Sequence, residues 1–194
     1  PRTSAKGSRG QTLTVTPTSG LSAFGQTVRV SGRGFSETVG IYVGLCVLRP
    51  RGVQPSPCGG GMDQDGSSQA SAWISSNPPP YGANLAIPYK RGGKFSVRIK
   101  VSPRIGNVDC RITRCAVVAR ADHLRNIDRS WDVAVPVTLR YAPHPVPDTT
   151  DPHNTDPYTT KGAPHAHRAT CRTGRGSACW HGHHLDGRAG GRRR

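Results

Sequence analysis

Cysteine is the residue type with the clearest chemistry in this 194-residue chain. Its six cysteines fall into three close pairs: Cys46 with Cys58, Cys110 with Cys115, and Cys171 with Cys179. A bridge within each of the first two pairs would close a Pro-rich return and a short turn between β-like runs. The alternative is a four-cysteine zinc site, but zinc sites favour paired C-x2-C knuckles, which these spacings lack. We therefore predict two structural disulfides and an oxidising, extracellular location, secreted or at the cell surface.

His123 is the single histidine between residues 11 and 140, and it stands beside Asp122 and near Asp128 and Ser130. A Ser-His-Asp device in this region would have to use it. The sequence has no Gly-x-Ser-x-Gly nucleophile elbow to supply the serine. We interpret residues 122–126 as a polar loop between the last two strands. We expect no catalytic residue and a protein that is not an enzyme.

Two other groups of donors could bind metals. Residues 63–67 read Asp-Gln-Asp-Gly-Ser, as at the start of a calcium loop, but the twelfth position is Ile74 where a bidentate Glu is needed. The sequence His-Gly-His-His at 181–184, with Cys171 and Cys179, lacks any framework that would fix a coordination geometry. We predict a turn at 63–67, no metal site and no cofactor.

Short β-like runs must position these residues. Seven runs separated by turn clusters lie at 13–16, 28–30, 41–48, 71–74, 95–101, 116–121 and 132–139. In the clearest one, Phe95, Val97, Ile99 and Val101 alternate with polar residues. Pro136 places the last run at a sheet edge or a bulge. These runs, without any helical periodicity, predict an all-β fold: an immunoglobulin-like, seven-stranded antiparallel β-sandwich.

The folded unit is expected to span residues 11–140 as a monomer. Residues 1–10 are polar and basic without apolar periodicity, and we expect them to be disordered. Residues 141–194 begin as a spacer rich in Pro, Thr and Asp and end in an Arg/Gly/His-rich tail, with almost nothing to bury, so we expect them to be disordered too. No apolar run approaches the 18 or so residues that a membrane span requires.

Two sets of residues carry a family resemblance. The motifs Val15-Thr16-Pro17-Thr18-Ser19-Gly20-Leu21 and Val28-Arg29-Val30-Ser31-Gly32 open the unit, and Val43-Gly44-Leu45-Cys46 and Val108-Asp109-Cys110 hold cysteines. Together they resemble the neocarzinostatin family of apoproteins over about residues 11–139. Residues 58–61, 72–79 and 120–123 are similar to modules of this family in surface proteins of high-GC Gram-positive bacteria, found beside haem-transport-associated domains. The resemblance implies a binding module, because members of this family hold an enediyne chromophore in an aromatic-floored cleft.

The chain departs from that pattern at the expected cleft. Leu48 stands where an aromatic is expected, and residues 102–107 lack aromatics. A flat polycyclic ligand would therefore lose stacking surfaces. Candidate cleft residues for a small hydrophobic ligand, a chromophore or a partner protein are Leu48, Trp73, Tyr81, Tyr89, Phe95 and Ile105. The alternative is that these aromatics pack the Pro-rich loop onto the sandwich.

The formal net charge of +16 indicates attraction to polyanions, with simple solubility as the alternative. Basic residues cluster in the second half of the folded unit, and Arg98 shares a strand face with Lys100. The candidate polyanion patch is Lys94, Arg98, Lys100, Arg111 and Arg114. It predicts salt-dependent binding of DNA or another polyanion without base recognition, since no recognition motif is present.

Overall fold

The computed structural model describes residues 1–61 and 68–141, and ten strands lie within these two ranges. They are β1 (Thr3–Lys6), β2 (Thr12–Thr16), β3 (Gln26–Arg33), β4 (Ile41–Val47), β5 (Ser71–Ile74), β6 (Phe95–Val101), β7 (Arg104–Ile105), β8 (Val108–Asp109), β9 (Cys115–Ala121) and β10 (Val133–Val137). The first sheet has the order β1-β2-β3-β6 and the second β10-β9-β4-β5, while β7 and β8 form a small ribbon. All strand pairs within the sheets are antiparallel.

The prediction of an all-β antiparallel sandwich is confirmed. Each of the seven predicted runs overlaps a strand of one of the two four-stranded sheets. Pro136 lies in β10, at an edge of the second sheet, as expected for a residue without a backbone N–H. The segments 62–67 and 142–194 lie outside the described residues. The turn at 63–67, the third cysteine pair, the histidines of the tail and the tail itself therefore remain predictions.

The expectation that residues 1–10 are disordered is wrong, and the sandwich has an eighth strand. Residues Thr3–Lys6 form β1 and pair with β2, with Ala5 opposite Leu13 on the inward side. The next residues contact the segment just before β10: Ser8 Oγ donates to the Ser130 carbonyl at 3.0 Å, and the Arg9 guanidinium lies 4.9 Å from the Trp131 ring centre. Backbone hydrogen bonds to β2 and polar side-chain contacts hold this segment in place, so it folds although its sequence has no apolar periodicity.

The main core lies between the two sheets. β6 alternates strictly between buried and exposed residues, as predicted, and Val97, Ile99 and Val101 face inward. β4 differs, because all seven of its residues are buried. A strand buried on both faces is unusual in a sandwich, where the outer face normally meets water. Something therefore covers the outer face of the second sheet.

Both predicted disulfides are present within the described residues. Cys46 in β4 is bonded to Cys58, and Cys110 is bonded to Cys115 at the start of β9. Asp109 organises the shorter loop, because its carboxylate accepts hydrogen bonds from the Arg111 backbone and guanidinium. These bonds lower the pKa of Asp109 to about 2.

Candidate functional site

The outer faces of the two sheets differ in chemistry. Every outward-facing residue of the first sheet is Ser, Thr, Lys or Arg: Ser4, Lys6, Thr12, Thr14, Thr16, Thr27, Arg29, Ser31, Arg33, Ser96, Arg98 and Lys100. Such a polar face is usual for an antiparallel sheet with one side in water. The outer face of the second sheet instead carries a second buried apolar cluster: Tyr42, Cys46, Trp73, Ala116 and Val118.

A groove of about 570 Å³ opens beside this cluster. Its apolar floor is formed by Leu48, Val118 and Ala134, from the end of β4, β9 and β10. Residues 49–53 and Pro55, on the loop that the Cys46–Cys58 disulfide closes, form one wall. Lys6, Gly7 and Ser8 also line it. The sheet register explains the floor, because Val118 lies between Gly44 and Ala134, and small neighbours leave a trough there.

One end of the groove is polar. Arg129 and Asp132 form an ion pair with Nη1 3.1 Å from Oδ2, and Asp132 is adjacent in register to Arg120. Arg120 Nε, Arg129 Nε and Asp132 Oδ1 are buried and have no hydrogen-bond partner. Burial raises the pKa of Asp132 to about 6 although two arginines oppose it, and burial together with the Arg129 charge lowers the pKa of Arg120. A carboxylate and two guanidiniums thus meet here with unsatisfied hydrogen-bonding capacity.

Asp132 predicts a specific pH dependence of stability. Its pKa is higher in the folded chain than the ordinary value of 3.8, so the folded state binds the proton more tightly and stability falls as pH rises from about 4 to 6. We expect the unfolding free energy of the wild type, minus that of Asp132→Asn, to decrease between pH 4 and pH 7. Urea denaturation at four pH values measures this difference.

Asp128→Asn is the matched control for that measurement. Hydrogen bonds from Ser130 lower the pKa of Asp128, so its contribution is lost only as pH falls below about 4. The corresponding difference for Asp128→Asn should be flat between pH 5 and pH 7. A flat or rising difference for Asp132→Asn would show that its carboxylate is not destabilised by burial.

A cluster of aromatic rings covers the other end of the apolar face. Trp73 is 4% exposed, and its Nε1 donates to Asp122 Oδ2 at 3.0 Å. The His123 ring lies between two tyrosine hydroxyls, with Nδ1 2.5 Å from Tyr42 Oη and Nε2 2.7 Å from Tyr81 Oη. Gly82 lies over the Trp73 ring, and a Cβ there would be 2.3 Å from it. The loop that carries Tyr81 and Gly82 is therefore packed onto Trp73.

This arrangement gives the polar residues near His123 structural partners. Asp122 accepts from the Trp73 indole and from the Leu124 backbone, and both nitrogens of His123 face tyrosines. Ser130 Oγ donates to Asp128. Asp122 therefore holds Trp73 in place, and Asp128 caps a short 3-10 turn, Arg129–Trp131.

The six predicted cleft residues separate into two groups. Leu48 lies in the groove floor, while Trp73 and Tyr81 belong to the aromatic cluster on the same outer face. Tyr89, Phe95 and Ile105 do not line a cleft, because all three belong to the main core. There the Tyr89 hydroxyl donates to the Val39 carbonyl at 3.0 Å, and the Phe95 ring packs against Phe35 and Tyr89. For Tyr89, Phe95 and Ile105 the prediction is corrected.

Sequence reasoning missed the groove residues Lys6, Arg49, Val118, Arg129, Asp132 and Ala134. One signal was available, since β9 reads Cys-Ala-Val-Val-Ala-Arg-Ala and is apolar at odd and even positions alike. Such a run indicates a strand buried on both faces. No local pattern indicates that Arg129 or Lys6 reaches the same groove, because separate segments bring them there.

The predicted polyanion patch also separates. Arg98 and Lys100 are exposed on the outer face of the first sheet, and Lys94 is exposed just before β6. Arg111 and Arg114 lie elsewhere, on the Cys110–Cys115 loop at the second sheet. Arg111 is paired with Asp109 at 2.5 Å, so its charge is already compensated. The five residues therefore do not form one patch.

Within the described residues no helix is long and apolar enough to cross a membrane, and no three potential metal ligands lie together.

No protein-family model matches the chain, and no curated protein matches it. Among solved structures the chain is similar to macromomycin, with 23% identity over 67% of this chain and 99% of macromomycin, at a TM-score of 0.44.

Proposed function

We propose that the chain is a secreted, non-catalytic binding module whose groove on the second sheet holds a small, largely apolar ligand. The observation that carries this proposal is the apolar outer face of that sheet, where Val118 and Ala134 meet Leu48. The outer face of the first sheet is wholly polar, so the two sheets of one domain differ in the chemistry of their outer faces. The overall amino-acid composition of the chain does not explain that difference. The two disulfides support an oxidising location.

The size and floor of the groove narrow the ligand class. About 570 Å³ falls within the range of ligand sites, about 300–1,000 Å³. The floor is aliphatic, so it favours an apolar body that fits by shape over a wide ring system that needs aromatic stacking.

The charges of the lining add a second criterion. Lys6, Arg49, Arg51 and Arg129 line the groove, against the single carboxylate Asp132. The groove is therefore positive, and a ligand with an acidic head group would compensate it. The ligand class that fits is an organic acid with a compact apolar body.

Adamantane-1-carboxylate is a suitable probe, because its body is compact and aliphatic, with 1-adamantanol and 1-adamantylmethylamine as probes of the same body and a different head. We expect titration calorimetry to show saturable 1:1 binding of the carboxylate, weaker binding of 1-adamantanol and the weakest binding of the amine. Ala134→Phe, which fills the groove floor, should weaken binding of the carboxylate at least tenfold. The reason is that the new ring occupies the volume that the adamantane body needs.

Ser96→Phe is the matched control, because it adds the same ring on the outer face of the first sheet. It should leave the affinity unchanged. Equal effects of the two variants, or no saturable binding of any of the three probes, would overturn the groove as a ligand site. Saturable binding in which the amine binds most tightly would retain the groove and overturn the acidic head group.

A further inference from the structure

A hydrogen-bonded row of three side chains, Tyr42–His123–Tyr81, ends at the surface of the domain. The imidazole of His123 lies between two phenols, with Nδ1 2.5 Å from Tyr42 Oη and Nε2 2.7 Å from Tyr81 Oη. The two phenols differ in access, because Tyr42 is 4% exposed and Tyr81 is 65% exposed. One end of the row is therefore buried, and the other end is open to molecules in solution.

This row has the geometry of an activated nucleophile. Such a nucleophile lies about 2.6–3.2 Å from a base, and a third group orients the base. Tyrosine is one of the side chains that form covalent intermediates in this way. In the tautomer with its hydrogen on Nδ1, His123 donates to Tyr42, and its Nε2 accepts from the Tyr81 hydroxyl. Tyr81 then occupies the position of the nucleophile, His123 that of the base and Tyr42 that of the orienting group.

The loop that carries Tyr81 holds its phenol in place. Tyr81 lies in the 3-10 turn Pro80–Gly82, directly after three consecutive prolines, which fix the backbone before it. The Gly82 N–H donates to the Pro79 carbonyl at 2.8 Å, and the Tyr81 ring stacks on Trp73 with 6.5 Å between the ring centres. A nucleophile that is already held near its base loses little entropy when it reacts.

The imidazole is held from its own side as well. His123 begins the 3-10 turn His123–Arg125, and Asp122 caps this turn by accepting from the Leu124 N–H at 3.1 Å. Asp122 is 1% exposed and also accepts from the Trp73 indole. The His123 ring packs against the edge of Trp73, with 5.3 Å between the ring centres. Both members of the His123–Tyr81 pair are thus fixed by the aromatic cluster.

We propose that Tyr81 is a covalent acceptor for the acyl group of activated aryl esters, with His123 as the base that takes up its proton. Tyr81 Oη attacks the ester carbonyl carbon and forms a new O–C bond, while the phenol proton moves to His123 Nε2. The bond between the carbonyl carbon and the aryl oxygen breaks, and the aryloxide leaves with the electron pair. The imidazole then releases the proton to solvent, so each ester yields one acylated tyrosine, one aryloxide and one proton. This acceptor is separate from the ligand groove, whose lining includes neither residue.

p-Nitrophenyl acetate is the probe, because nitrophenolate is a weaker base than a tyrosine phenolate and therefore leaves in preference to it. The full chain is incubated with the ester at pH 8, quenched with acid and digested with pepsin, and mass spectrometry follows the acetylation of each tyrosine with time. Tyr141 is the internal standard, because it is 61% exposed and bonds to no histidine in the part of the chain that the structure describes. We expect Tyr81 to be acetylated at least tenfold faster than Tyr141.

His123→Gln separates the action of a base from simple exposure. Glutamine can still form a hydrogen bond but does not take up a proton, so this variant should slow acetylation of Tyr81 at least tenfold and leave Tyr141 unchanged. Circular dichroism checks that the variant is folded. A rate at Tyr81 no higher than that at Tyr141 in the wild type, or an unchanged rate at Tyr81 in His123→Gln, would overturn the proposal.

Tyr42→Phe tests the orienting group, because it keeps the ring and removes the hydroxyl that faces His123 Nδ1. We expect it to slow acetylation of Tyr81 by a smaller factor than His123→Gln does, with the rate at Tyr141 unchanged. A hydroxyl that only stabilised the domain would change the free energy of unfolding and leave the rate at Tyr81 as in the wild type. That result would overturn the role of Tyr42 as a positioning residue.

Discussion

Replacement of Trp73 by Ala is expected to lower the free energy of unfolding by about 3–5 kcal/mol. The ring is 4% exposed and packs against Tyr42, His123 and Tyr81. Its removal leaves a cavity under the loop that carries Gly82, and it deprives the buried carboxylate of Asp122 of a hydrogen-bond donor. Urea denaturation followed by circular dichroism measures the change.

Two further variants divide this effect into its parts. Trp73→Phe keeps most of the ring and removes the indole N–H, so it should cost about 1–3 kcal/mol. Tyr81→Ala changes a ring that is 65% exposed, and it should cost less than about 1 kcal/mol. If Trp73→Ala cost no more than Tyr81→Ala, the aromatic cluster would not be part of the folded core.

Loss of the Cys46–Cys58 disulfide is the second change with a large expected effect. Chain-entropy arithmetic for the loop that it closes gives about 3 kcal/mol, against about 2 kcal/mol for the Cys110–Cys115 loop. The longer loop also contains a wall of the groove, including Arg49 and Pro55. We therefore expect Cys46→Ala with Cys58→Ala to lower both stability and the affinity for adamantane-1-carboxylate.

The matched control is Cys110→Ala with Cys115→Ala. It should lower stability somewhat less and leave the affinity nearly unchanged, because none of the residues 110–115 lines the groove. Thermal unfolding and titration calorimetry on both variants make the comparison. An equal loss of affinity in the two variants would show that the disulfide stabilises the domain as a whole and does not position the groove wall.

Much of the fold was predictable because it depends on local patterns. The alternation from Phe95 to Val101 identified β6 and its inward face, since side chains in a strand point alternately to its two sides. Pro136 indicated an edge strand or a bulge, and the spacing of the cysteines predicted both disulfides. β1 was missed because an edge strand that buries little more than Ala5 has no apolar period to detect.

Tertiary structure decided which residues lie on the outer faces of the two sheets and which line the groove. The sequence by itself determined the all-β class, the seven main strands, the disulfides and the excess of positive charge. It could not determine that Tyr89 packs in the main core while Trp73 lies on the outer face of the second sheet, because no local pattern says which face of a sheet a loop covers. Likewise, Arg29 and Arg98 are 69 positions apart in the sequence and meet only through the pairing of β3 with β6. The apolar groove and the pairing of Arg29 with Arg98 both depend on strand order and register, which long-range backbone pairing establishes.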